Sequence, residues 1–117
     1  MSNILILGAG SMGTAFSIPC SDRNHSVSIV GSHLEDDFID KVNLEKKHPI
    51  LNCDIPTNVS FYKFKSLEEK IKNKIDLIVI AVVSKGVEWA SLELSKVLKT
   101  NIPILILTKG LSINKNY

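Results

Sequence analysis

Residues 3–16 read NILILGAGSMGTAF, and the reading of this stretch decides the fold. Asn3 to Leu7 is a continuous β-favouring run with no polar alternation, as expected of a strand buried on both faces in a parallel sheet. Gly8, Gly10 and Gly13 then follow in G-x-G-x-x-G spacing, and a helix is predicted from about Ser11 towards Asp22. Glycine triplets of this kind occur by chance in loops. Here a buried strand precedes and a helix follows, which is the context that a dinucleotide-binding turn needs. Each glycine has a task. Gly8 permits the tight turn, Gly10 keeps side-chain atoms away from a pyrophosphate, and Gly13 lets the helix pack closely on the strand. The helix N-terminus aims N–H groups and a partial positive charge at the phosphates. Ser11 and Met12 contribute N–H groups, and the Ser11 hydroxyl is a further donor. The bland alternative is a strand–turn–helix with no ligand. Pro19 is a local conflict, because it has no N–H for the carbonyl of Ala15 and should loosen or kink the helix.

Outward from this turn, strand and helix alternate. SVSIV at 26–30 reads as a second strand. Leu34 to Lys46 reads as a helix, with Leu34, Phe38, Ile39 and Val42 at helical spacing and Glu35, Asp36 and Asp37 near its start, where the helix dipole favours acids. His48 to Thr57 is a loop with Pro49 and Pro56. Val59 to Phe64 is a short strand. Ser66 to Ile71 is a short helix opening on Ser66-x-x-Glu69, a capping-box pattern. Asp76 to Val83 is the most apolar strand and is expected to be central. Ser84 to Thr100 is a helix with Val87, Ala90, Leu94, Val97 and Leu98 on one face and Ser84 as its N-cap. Ile104 to Leu107 is expected to be another buried strand. This order predicts an α/β fold of Rossmann type. It is a doubly wound, mostly parallel sheet with helices on both faces, ending after about five strands.

Composition bounds the function. Apolar residues make up 44% and charged residues 22%, as in globular proteins. No apolar run approaches the roughly 18–20 residues that cross a bilayer, and no basic stretch precedes the first strand as in a secretory signal. A cytoplasmic protein is expected. A net charge of +2 is too small to suggest nucleic acid as a partner. The lysines between Lys63 and Lys74 read as a solvated face. Cys20 and Cys53 lack C-x-x-C spacing, and His25, His33 and His48 stand far apart, so neither a disulfide framework nor a metal site is expected. Cys20 reads as a small core residue.

The second strand bears on cofactor choice. An NAD site usually has an acid at the end of that strand, about 20 residues past the glycine motif, to bind the ribose 2′-hydroxyl. Gly31, Ser32 and His33 occupy this place, and Glu35 and Asp36 come later. The missing acid tilts the reading from NAD towards NADP, with Ser32 and His33 as donors to a 2′-phosphate, though no arginine is present to clamp it. Alternatively, these two residues only start the next helix.

GAGSMGTAFS at 8–17, SIVGSH at 28–33, HPIL at 48–51, DLIVIAVVSKGV at 76–87 and ILILTKGL at 104–111 occur in that order. Together they resemble the N-terminal domain of NAD(P)-dependent glycerol-3-phosphate dehydrogenase, over nearly the whole chain. The segment Thr108 to Leu111 and the stretch from Asn43 to Pro49 are its more specific parts. The resemblance implies that Gly8, Gly10, Ser11, Met12 and Gly13 form the pyrophosphate loop. Met12 replaces a common aromatic, and the loop tolerates this because it binds through its backbone. Ser32 stands where many members have an arginine for the 2′-phosphate. Val82, Val83 and Ser84 match the loop that lies along the cofactor. Lys109 matches a lysine that contacts both cofactor and substrate, at a strand end where open α/β sheets place ligands. A cation there stabilises the alkoxide that develops as dihydroxyacetone phosphate is reduced. Family enzymes are much longer. Their helical second domain supplies the main catalytic lysine, most of the substrate-phosphate site and the usual dimer contacts. Residues 1–117 are therefore expected to be the cofactor domain alone, inactive by itself, of a parent that is a homodimer acting in glycerol-3-phosphate metabolism and phospholipid biosynthesis. Two alternatives are a non-catalytic dinucleotide-binding module and the cofactor domain of another two-domain reductase, of ketopantoate, pyrroline-5-carboxylate or 6-phosphogluconate type.

Overall fold

A computed structural model describes residues 2–48, 54–82, 86–98 and 101–107. Its elements alternate as β1 (Asn3–Leu7), α1 (Ser11–Asp22), β2 (Ser26–Val30), α2 (Asp36–Glu45), β3 (Val59–Tyr62), α3 (Leu67–Ile71), β4 (Leu77–Ile80), α4 (Val87–Val97) and β5 (Ile104–Ile106). The five strands form one sheet in the order β3-β2-β1-β4-β5, and every neighbouring pair is parallel. From β1 the chain steps outward through β2 to β3, then returns to the other side of β1 for β4 and β5. The winding reverses between β1 and β4. In open α/β sheets the crevice above such a reversal, at the carboxyl ends of the strands, is where ligands bind. Leu7 is in register with both Val30 and Ile80, so three strand ends line up beneath that crevice.

The unalternating strand sequences are explained by helices on both faces. Ile4, Ile6, Val27, Ile29 and Val79 point to one side, where Ile39 and Val42 of α2 complete the buried layer and Phe16 and Cys20 of α1 pack against it. Leu5, Leu7, Val30, Ile78 and Ile80 point to the other, against Leu67 and Ile71 of α3 and Ala90 and Leu94 of α4. Each fully buried Leu or Ile contributes roughly 1.5–3 kcal/mol by leaving water. Among the described residues no helix is long and apolar enough to cross a membrane, and no group of three or more His, Cys, Asp or Glu could hold a metal ion.

Several expectations are corrected. The apolar run Ile104–Ile106 does form a strand, but β5 is an edge strand with all three residues exposed, and Ile106 keeps 51% of its surface in solvent. Strand order, not local hydropathy, decides burial there. The helix predicted from Leu34 starts at Asp36, and Leu34 is exposed. The third strand stops at Tyr62, because Phe64–Ser66 close into a 3-10 turn. That turn leaves Ser66 in right-handed helical conformation with no side-chain cap, so the expected capping box at 66–69 does not form. Helix α1 continues past Pro19 to Asp22, and its last carbonyls are met by the N–H groups of Arg23 and His25. Helix α4 begins after Gly86 and ends at Val97. Its expected cap, Ser84, lies outside the described residues, as does Cys53.

Candidate functional site

The glycine turn sits on the crevice, and its three glycines differ in what holds them. Gly8 has φ 121°, and a Cβ there would lie 2.2 Å from the Ala81 carbonyl oxygen. Its N–H donates to the Val30 carbonyl at 2.8 Å, so the turn is wedged between the ends of β2 and β4. A Cβ on Gly13 would lie 2.5 Å from the Gly8 carbonyl oxygen and 3.2 Å from Ile6. Helix α1 thus rests directly on the turn. At Gly10 a Cβ would meet no atom of the described residues within 4 Å. Its backbone is extended, at φ −71° and ψ −171°, a region open to any residue. The fold therefore requires glycine at positions 8 and 13, whereas the described residues leave the space over Gly10 open.

Gly10 also leads into α1. That helix has no side-chain N-cap and no acidic residue in its first turn. The first N–H groups of a helix have no intrahelical acceptor, and the helix dipole adds partial positive charge at the same place. The open cradle over Gly10 and the N–H groups of Ser11, Met12 and Gly13 together suit an anion such as a pyrophosphate.

Ala9, between the first two glycines, is pinned from both sides. His48 is fully buried, and its Nε2–H donates to the Ala9 carbonyl at 3.1 Å. Its ring stands edge-on to Phe38, 5.1 Å between centroids. From the other side, the Ala9 N–H donates to Glu35 Oε1 at 3.2 Å. The same oxygen accepts the Ser32 N–H at 2.7 Å, and the Ser32 hydroxyl accepts the Leu34 N–H at 3.3 Å. These bonds, with the Glu35 N–H donating to the Ser32 carbonyl at 3.0 Å, close a tight turn just before α2. The turn is thus held in place by the chain itself.

A family model described as NAD-dependent glycerol-3-phosphate dehydrogenase N-terminus matches residues 3–117. The chain belongs to this family. A glycerol-3-phosphate dehydrogenase [NAD(P)+] from Lactococcus lactis subsp. cremoris (strain MG1363) is 32% identical to it over 117 aligned residues, covering 92% of the chain and 31% of that enzyme. The same-named enzyme of Oceanobacillus iheyensis is 29% identical over 111 residues, covering 95% and 31% respectively. The crystal structure of glycerol-3-phosphate dehydrogenase from Coxiella burnetii superposes with a TM-score of 0.82 at 25% identity, over 95% of this chain and 33% of that one. The chain thus spans about a third of the length of these relatives.

Within this glycerol-3-phosphate dehydrogenase domain, Gly8, Gly10, Ser11, Met12 and Gly13 come together at the crevice between β1 and β4. Val82 follows β4, and its Cγ1 would lie 3.1 Å from a Cβ on Gly8, so it borders the turn. Ser32 ends the β2 side, joined to the turn through Glu35. The His33 ring lies 4.6 Å from that of Trp89 on α4, and Phe64 lies 5.2 Å from Trp89 and 6.3 Å from His33, so the three rings form one cluster. Val83, Ser84 and Lys109 lie outside the described residues. The sequence points to Ser66-x-x-Glu69, but it is at Ser32-x-x-Glu35, with the same spacing, that the glutamate accepts the serine N–H. In the sequence His48 stands at the start of a loop and far from the other histidines. Its contact with Ala9 joins residues 39 positions apart, and no local pattern announces it.

Proposed function

We propose that this chain is the cofactor-holding domain of an NAD(P)-dependent glycerol-3-phosphate dehydrogenase, which interconverts dihydroxyacetone phosphate and sn-glycerol 3-phosphate. The observation that carries this reading is the open space over Gly10 beside two glycines that the fold cannot replace. The Ser11, Met12 and Gly13 N–H groups receive the pyrophosphate, and Ser11 Oγ is available as a further donor. Val82 and Ser84 line the cofactor beyond β4, and Ser32 and His33 stand at its adenosine end. When bound, the nicotinamide supplies or accepts the hydride at the substrate carbon. Lys109, in the role implied by the family resemblance, holds positive charge near the substrate oxygen as the ketone gains alkoxide character. The rest of the catalytic and substrate-phosphate machinery, and the contacts of a cytoplasmic homodimer, belong to a second domain of the parent enzyme.

The test is calorimetric titration of the 117-residue chain with NADH and NADPH in parallel, followed by an assay with dihydroxyacetone phosphate. Binding of a reduced dinucleotide without turnover is the expected outcome. If neither dinucleotide binds, the cofactor reading is wrong. Steady conversion of dihydroxyacetone phosphate would refute the assignment of catalysis to a second domain.

A further inference from the structure

We propose that Glu35 selects the cofactor: its carboxylate accepts the ribose 2′-hydroxyl and repels a 2′-phosphate, so this domain prefers NAD(H) to NADP(H). The proposal rests on the cofactor reading above, and it reverses the tilt towards NADP drawn from the sequence.

The position directly after β2, where an acid would be sought, is Gly31. A Cβ there would lie 2.9 Å from Ile39 Cγ1 and 3.3 Å from the Glu35 Cβ. The start of α2 is packed so closely on the strand end that position 31 has no room for a carboxylate. This same close packing brings an acid in from further along the chain. Glu35 folds back, and its Oε1 sits 2.7 Å from the Ser32 nitrogen and 3.2 Å from the Ala9 nitrogen. Ala9 immediately precedes Gly10, so the carboxylate lies between the end of β2 and the glycine cradle. That is the adenosine-ribose side of a dinucleotide whose pyrophosphate rests on Gly10.

The two N–H donors use one carboxylate oxygen. A carboxylate offers about four acceptor sites, so capacity remains for a hydroxyl donor. A 2′-phosphate has no such match. It carries about −1.5 to −2 charges and would meet Glu35 directly. The surrounding charge adds to this, because Asp36 and Asp37 occupy the first turn of α2. No lysine or arginine stands between Gly31 and Asp40. Lys63, directly after β3, is paired with Asp40 of α2 at 3.2 Å.

Glu35→Gln separates discrimination from folding. A glutamine keeps an oxygen that can accept the Ser32 and Ala9 N–H groups, while the negative charge is lost. Affinities for NADH and NADPH are measured by calorimetry. In parallel, quenching of Trp89, the sole tryptophan, is followed. The wild-type chain is expected to bind NADH at least about tenfold more tightly than NADPH, as like-charge juxtaposition at a binding site implies. The Glu35→Gln chain is expected to lose most of that ratio through tighter NADPH binding, with its urea-unfolding midpoint near wild type. NADPH binding as tight as NADH in the wild type, or an unchanged ratio in the variant, overturns the role of Glu35 while leaving the cofactor reading intact. Failure of both cofactors to bind the folded wild type overturns that reading and this proposal with it.

Discussion

Replacing Gly10 by alanine should separate binding from stability. The added methyl meets no atom of the described residues within 4 Å, and the backbone at Gly10 is one that alanine adopts without strain. Two small effects on folding then oppose each other. Alanine is a poorer residue than glycine just before a helix, by about 0.5–1 kcal/mol. Its stiffer unfolded chain offsets this by about 0.4–1 kcal/mol. The net change should stay within about 1 kcal/mol. The effect on binding is one-sided, because the methyl occupies the space through which a pyrophosphate reaches the backbone. Loss of one hydrogen bond to a charged group costs about 1.5–3 kcal/mol. That corresponds to a Kd weakened roughly 10- to 150-fold for NADH. Urea unfolding and calorimetric titration of the two chains measure both quantities. An unchanged Kd would show that the pyrophosphate does not cross Gly10. Loss of more than about 2 kcal/mol of stability would show that the space over Gly10 is needed by the fold.

The contrasting substitution, Gly8→Ala, should destabilise the domain by about 3 kcal/mol or more, since it combines a positive φ with a backbone clash against Ala81. A urea midpoint near wild type would contradict the wedged turn. His48→Ala removes the donor to the Ala9 carbonyl and opens a cavity beside Phe38, and should cost about 2–4 kcal/mol in chemical denaturation. His48→Gln, which can still donate, should recover part of that loss, and equal losses in the two variants would argue against the hydrogen bond. Burial pushes the Cys20 thiol above its ordinary range, so less thiolate is present at neutral pH. Alkylation of Cys20, followed by peptide mass mapping, should be slower in the folded chain than in urea and should accelerate only at higher pH. Equal rates at pH 7 would refute the burial argument.

What could be read from the sequence was local. Asn3–Leu7, the three glycines and the start of α1 follow from short-range pattern, because strand propensity, turn conformation and helix period are each set within a few residues. Both faces of the sheet were also legible, since strands without polar alternation must be covered twice. Three features depended on contacts between distant parts of the chain. Among the described residues β5 has only β4 as a neighbour and Ile104–Ile106 stay exposed, and strand order is invisible in a hydropathy pattern. The two Ser-x-x-Glu patterns are alike on paper, yet only Glu35 reaches back to its serine N–H, because the 3-10 turn holds Ser66 in helical conformation and gives its N–H to the Lys63 carbonyl. The acid missing after β2 was absent only by position. Close packing of α2 on Gly31 carries Glu35 to Ala9, 26 residues away in sequence, and His48 reaches the same residue from 39 positions away. The sequence by itself determined the phosphate cradle, whose geometry is short-range. Tertiary packing decided what surrounds it, because that depends on which strand ends and loops are brought together.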